Sequence, residues 1–169
     1  NRVGLPDSYH KLKESERAIS WLLSMQCQSG GWAAFDVDNE KEILNQVPFA
    51  DHGAMLDPPT ADVSGRVLWL LGQIGFNKDH LIVEKVIGFI KDRQESDGSW
   101  WGRWGVNYIY GSWLALTGLA SIGEDMSQSY VRRAMKWYED HQNEDGGWGE
   151  TCESYKIPSL AGKGNSTAS

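Results

Sequence analysis

Asp62 and Arg66 stand one helical turn apart, with the charges and the spacing of an ion pair on one helix face. Such a pair can tune the acidity of a neighbouring proton donor, or it can be an ordinary helix N-terminal carboxylate beside a solvated guanidinium. Asp36-Val37-Asp38-Asn39 resembles the start of a cation-binding loop, but the sixth position is Lys41, where a calcium loop needs glycine. Asp36 and Asp38 are therefore read as turn and surface carboxylates. Glu150-Thr151-Cys152 sets a carboxylate beside a thiol, and zinc would require a suitably placed histidine as well. His141 occupies a place filled by Met25 and Arg93 in equivalent segments, which marks it as structural. The remaining chemistry belongs to π faces, which attract cations. Trp101, Trp104, Tyr108 and Tyr110 cluster in one short segment. The chain holds nine Trp, six Tyr and four Phe, nineteen aromatics in all, so core packing accounts for many of them.

The elements that position these residues are written as a repeat. Arg17-Ala18-x-x-Trp21-x-x-x-x-Gln26-x-x-x-Gly30-Gly31-Trp32 recurs as Lys85-Val86-x-x-Phe89-x-x-x-x-Gln94-x-x-x-Gly98-Ser99-Trp100 and as Arg133-Ala134-x-x-Trp137-x-x-x-x-Gln142-x-x-x-Gly146-Gly147-Trp148. Self-similarity on this scale implies a supersecondary unit that buries its apolar face against neighbouring copies. Each copy starts on a helix with an apolar stripe and breaks at a glycine turn, where positive φ costs little. The tryptophan after the turn is expected to fold back on its helix. Its indole N–H needs an acceptor, and the glutamine six positions earlier offers a carbonyl. Glutamine is thus expected to cap a helix end, hold the ring and staple one repeat to the next.

Periodicity predicts five helices and one long loop. The first starts at a cap on Asp7 or Ser8 and runs to about Gln26. Residues 32–59 form an irregular stretch long enough to be functional rather than a passive connector. The second helix opens at Thr60 or Asp62 and closes at Gly72 or Gly75, and the third opens at Asn77 or Asp79. The fourth, 107–122, is apolar on nearly every face and is expected to be enclosed on both sides; the fifth spans about 127–142. Amphipathic and apolar helices alternate, as a double layer of outer and inner helices requires. The fold class is all-α, a double-layered α/α arrangement that closes part of a barrel.

A formal net charge of −7 and a pI near 5.0 argue against nucleic acid as a partner, because phosphate binding needs a concentrated basic face. Cys27 and Cys152 occupy non-equivalent places in the repeat and are read as free thiols of a cytoplasmic protein. No apolar run of bilayer-spanning length occurs. The third copy lacks the apolar partner helix that follows the other two, and residues 162–169 form a glycine-rich loop leading nowhere. The chain, residues 1–169, is therefore expected to be one piece of a barrel domain, incomplete at both ends and prone to self-association through exposed faces.

The Gln-x-x-x-Gly-x-Trp repeats resemble the QW motifs of the squalene–hopene and oxidosqualene cyclase family. Gly31-Trp32-Ala33-Ala34-Phe35-Asp36-Val37-Asp38-Asn39, Asp57-Pro58-Pro59-Thr60-Ala61-Asp62-Val63, the run from Asp97 to Gly111 and the run from His141 to Glu150 are similar in order and spacing to the bacterial squalene–hopene branch. The likeness covers essentially the whole chain and extends to the sporulenol synthase group within that branch. It implies an all-α fold, part of an (α/α)6 toroid-type barrel, and a cyclase, of isomerase or lyase type, that needs no cofactor or metal. Its substrate would be a polyprene lipid, squalene or tetraprenyl-β-curcumene, collected at the inner face of the cell membrane. In such enzymes an Asp-x-Asp-Asp acid protonates a terminal alkene and an aromatic cavity guides the carbocations. Asp36-Val37-Asp38-Asn39 does not match that motif, since its second pair is Asp-Asn and it follows the first repeat. The acid is expected upstream of Asn1, so the isolated chain is expected to be inactive. By the same resemblance Asp62 supports the acid, Arg66 stands where some members have histidine, and Trp104 stabilises early cations. Phe35 replaces a tyrosine common among relatives, and Tyr110 and Phe49 line the cavity. Two rival readings are a zinc enzyme resembling the protein prenyltransferase β subunits, also α/α barrels, and a non-enzymatic scaffold of helical repeats.

Overall fold

The computed structural model describes residues 13–40 and 56–166; Phe49 and the expected cap at Asp7 or Ser8 lie outside them. Five helices follow in chain order: α1 Lys13–Ser24, α2 Ala61–Gln73, α3 Leu81–Asp92, α4 Tyr108–Ser121 and α5 Ser129–Asp140. Two short 3-10 turns, Cys152–Tyr155 and Pro158–Leu160, come after them. Among the described residues there is no strand, only an isolated bridge between Asn39 and Asp57.

Helices α1, α3 and α5 carry the repeat and form an outer layer against the inner pair α2 and α4. The inner pair can approach closely because small residues face each other. A methyl group on Gly65 would sit 2.5 Å from the Leu114 carbonyl oxygen, and one on Gly118 would sit 2.6 Å from that of Gly65. Leu68 and Leu71 of α2, Val83, Val86 and Ile90 of α3, Ala115 and Leu119 of α4, and Val131 and Ala134 of α5 form one fully buried cluster. Helix α4 departs from expectation on one side. Trp113 is 52% exposed, and α2 presents Arg66, Trp69, Leu70 and Gln73, at helical spacing, to the outside. The two inner helices therefore keep an open apolar face, which an apolar sequence permits but cannot reveal.

The repeat works differently from the expected glutamine–indole pair. Each indole donates to a carbonyl ten residues earlier: Trp32 to Leu22 at 2.8 Å, Trp100 to Ile90 at 2.7 Å and Trp148 to Tyr138 at 2.9 Å. These carbonyls belong to the last turns of α1, α3 and α5, where donors four residues on run out; Leu22 and Tyr138 also accept the Met25 and His141 N–H groups, each at 3.2 Å. The glutamine donates through its amide instead. Gln26 reaches the carbonyls of Gly30 and Ile82, and Gln94 those of Gly98 and Tyr130, so each ties its own turn to the first turn of the next outer helix. The Gln94 carbonyl accepts from the Arg133 guanidinium at 2.5 Å. Stapling of one repeat to the next is thus present, and the basic residue of the repeat is part of it. Gly30 and Gly98 take φ of +96° and +100°, and a side chain on either would strike the backbone at Lys85 or Arg133.

Other boundaries shift modestly. Helix α3 starts at Leu81, where the His80 ring accepts from the Ile82 N–H at 3.3 Å, and Asn77 and Asp79 fall in the preceding turn. Of the 162–169 loop, read as leading nowhere, Gly164 and Ser166 fold back on the third turn: Asn143 donates to the Gly164 carbonyl at 3.0 Å and Ser166 to the Asp145 carboxylate at 2.6 Å.

Candidate active-site face

The loops between repeat turns and inner helices carry the residues singled out for chemistry, and buried carboxylates shape both loops. Asp57, 5% exposed, precedes α2 and accepts the backbone N–H groups of Ala34, Phe35 and Asp36. Asp62, in the first turn of α2 and fully buried, accepts those of Arg103 at 3.0 Å and Trp104 at 2.9 Å through one oxygen. Its other oxygen is buried without a partner. Backbone donors converging on a carboxylate make charge-assisted bonds of about 1.5–3 kcal/mol each, enough to fix a glycine-rich loop.

The two loops bring Phe35 and Trp104 together. Their rings meet edge to face, with centroids 5.6 Å apart, while remaining 71% and 49% exposed. The Arg103 guanidinium lies 5.6 Å from the Trp104 ring centroid and donates to the Leu56 carbonyl. Tyr110, in the first turn of α4, packs against the same loop; side chains on Gly102 or Gly105 would collide with its ring. Phe35, from one stretch of sequence, thus joins Trp104 and Tyr110, from another, around one loop.

The expected Asp62–Arg66 ion pair does not form. Arg66 is exposed and donates to the Tyr110 hydroxyl at 3.3 Å, its guanidinium 5.7 Å from the ring centroid, whereas Asp62 turns to the backbone of the 103–104 loop. Helical spacing made the pair possible, but unpaired N–H groups compete better for a buried carboxylate than a solvated guanidinium does.

The carboxylates of the Asp36–Asn39 segment are engaged locally: Asp36 accepts from the Asn39 amide of its own turn at 3.0 Å, and Asp38 from the Gln28 N–H of the first repeat turn at 2.8 Å. Glu150 is a cap rather than a zinc ligand, accepting the N–H groups of Asn107 at 3.1 Å and Ile109 at 2.9 Å at the start of α4. His141 stacks on Trp137 with centroids 4.3 Å apart. Cys27 is buried and Cys152 exposed, both as free thiols, and burial pushes the Cys27 thiol above its ordinary range. Among the described residues no three His, Cys, Asp or Glu side chains are grouped as a metal site, and no helix is long and apolar enough to cross a membrane.

Sequence reasoning missed Asp57, Tyr155 and the inner-helix serines. Ser64 and Ser112 accept the backbone N–H groups of Trp32 and Trp100, each at 2.8 Å, linking both turns to the inner layer. Their equivalence was hidden because 32 residues separate one pair and 12 the other.

Residues 1–169 match the family model described as the squalene–hopene cyclase C-terminal domain. The chain belongs to that family. It is 46% identical over 154 residues to the squalene–hopene cyclase of Zymomonas mobilis, covering 90% of this chain and 23% of that protein. It is 42% identical over 169 residues to the squalene–hopene cyclase of Alicyclobacillus acidocaldarius, covering 100% and 27%. Similarity extends to the dammaradiene synthase of Dryopteris crassirhizoma, 41% identical over 184 residues, with 98% of this chain and 27% of that one covered. The chain thus spans about a quarter of the length of these curated relatives. With five α-helices and no strand among its described residues, it is part of the α/α barrel of the terpene cyclases.

Proposed function

We propose that these residues form one wall of the cavity of a class II terpene cyclase, which protonates a polyprene and guides the resulting cations through ring closure. The observation that carries this reading is the Phe35–Trp104 pair, two half-open π faces held edge to face by loops that Asp57 and Asp62 clamp through backbone N–H groups. A preorganised π surface is what a carbocation needs, because it stabilises charge as the charge develops and offers no lone pair to capture it. Tyr110, Trp69 and Trp113 extend the aromatic surface along the open face of α2 and α4. An alkene is a poor base, so the reaction also requires a strong acid, supplied by a segment other than this one. Arg66, at the edge of the face, would hold that acid's carboxylate form at low energy and so make it a stronger proton donor. Squalene, named in the relatives, and tetraprenyl-β-curcumene are the candidate substrates, and their insolubility calls for collection at a membrane surface.

The full-length polypeptide carrying these residues is to be incubated separately with squalene and with tetraprenyl-β-curcumene, and the products identified by mass spectrometry. Cyclised product from either supports the reading. Recovery of both substrates unchanged by an otherwise folded enzyme contradicts it.

A further inference from the structure

Trp104 is the most clearly placed of the candidate cation-stabilising residues, yet its indole N–H makes no hydrogen bond among the described residues. Its ring orientation is inherited from the backbone of residues 102–105. Asp62 holds the N–H side of that backbone at Arg103 and Trp104. The carbonyl side converges on one phenol: the Tyr155 hydroxyl lies 2.7 Å from the Gly105 oxygen, 3.1 Å from that of Gly102 and 3.3 Å from that of Arg103. A phenol has one proton, and the shortest of these contacts gives it to Gly105, with the other two carbonyls drawn to the same hydrogen. The Tyr155 ring is set in turn by Trp101, edge to face with centroids 6.0 Å apart. Burial, together with Asp62, Cys152 and Glu150, holds the phenol above its ordinary range, so the proton stays on oxygen throughout neutral pH.

We infer that Tyr155 is a positioning residue for Trp104. The loop is pulled from opposite sides, its N–H groups toward the α2 carboxylate and its carbonyls toward a hydroxyl at the end of the third repeat's 3-10 turn. Glu150 pins the next stretch through Asn107 and Ile109, and the Asn107 side chain accepts from the Gly102 N–H at 3.3 Å. The segment 150–155 therefore transmits the position of the third repeat to the aromatic wall. Removing only the hydroxyl leaves three carbonyls without their shared donor and frees the loop to rock about the Asp62 bonds.

This inference rests on the cyclase reading, and the experiment separates the two. Tyr155→Phe is made in the full-length enzyme and compared with wild type, Trp104→Phe and the double variant, at a temperature where all remain folded. Hydrogen exchange is followed in a peptide covering residues 101–107, alongside product profile, kcat and KM. The expected result is exchange accelerated at least about threefold in that peptide while α2 and α4 stay protected, with a larger share of incompletely cyclised products and a fall in kcat at little-changed KM. Trp104→Phe should add little to the Tyr155→Phe effect on products, because both act through one ring. An unchanged product profile overturns the positioning role, whether or not exchange accelerates; so does acceleration spread evenly over the whole segment, or full additivity in the double variant. Failure of the wild-type enzyme to cyclise either polyprene overturns the cyclase reading, and this inference with it.

Discussion

At the scale of single residues, the carboxylates work as backbone clamps. Asp57 and Asp62 each gather N–H groups from a loop distant in sequence, and each loop presents one aromatic ring. Removing such an acceptor leaves buried donors unpaired, at about 1–3 kcal/mol per group. Asp57→Ala should therefore destabilise the fold by about 2–5 kcal/mol in denaturant titration, while Asp36→Ala, in an exposed turn, should change it by no more than about 0.5 kcal/mol. Equal effects would contradict the assignment. Reactivity separates the two thiols: Cys152 should be labelled rapidly by an alkylating reagent near neutral pH, and Cys27, buried with its thiol pushed up, only on unfolding. Peptide mass mapping of a timed labelling reaction measures this. At this scale the sequence was informative about types and poor on partners. Phe35, Trp104 and Tyr110 were singled out and do gather around the 102–105 loop, but the bonds from Arg103 and Trp104 to Asp62 span 41 and 42 positions, and no local spacing encodes them. Asp62 and Arg66 sit where helical spacing placed them, yet each found a different partner.

At the scale of elements, the repeat is a relay of backbone carbonyls. Gln94 donates to its own turn and to the first turn of α5, so Gln94→Leu should lower stability by about 1–3 kcal/mol with no change of oligomeric state, as read by melting and size-exclusion chromatography. The glutamine and tryptophan positions announced the architecture from sequence, because their spacing from the helix end is fixed. The glutamine's partner was misread, because the acceptor for the indole is a helix-end carbonyl and carbonyls have no sequence signature. The open face of α4 was hidden for a related reason: apolar composition is the same whether a residue meets core or cavity. The cap of α3 supplies a pH prediction. His80 must be neutral to accept the Ile82 N–H, and burial lowers its ring below the ordinary value of 6.5. Below 6.5 the unfolded chain takes up the proton first, so stability falls as pH drops through that value toward the lowered one. His80→Asn, a cap without a titrating ring, should flatten this part of the pH–stability curve; an unchanged slope would count against the cap.

At the scale of the whole molecule, the described residues set an inner pair of helices against three outer ones and leave an aromatic face of the inner pair open. Trp69 and Trp113 are 46% and 52% exposed on that face, and Trp21 is 61% exposed on the outer helix of the first repeat. Surfaces of that kind seek apolar cover, so the 169-residue chain alone should self-associate in light scattering, and replacing Trp113 and Trp69 with Gln should reduce association. Asp57 and Asp62, the buried carboxylates behind that face, are engaged by backbone N–H groups. The most direct test of the account is the cyclisation of squalene and tetraprenyl-β-curcumene by the full-length enzyme and its Trp104→Leu variant. A π face contributes about 1–2 kcal/mol to a desolvated cation, equivalent to a roughly 5- to 30-fold change in rate. A loss of turnover in that range, with early-terminated products accumulating, is the predicted result; a Trp104→Leu enzyme with wild-type turnover and product profile would contradict the placement of the cation against this wall.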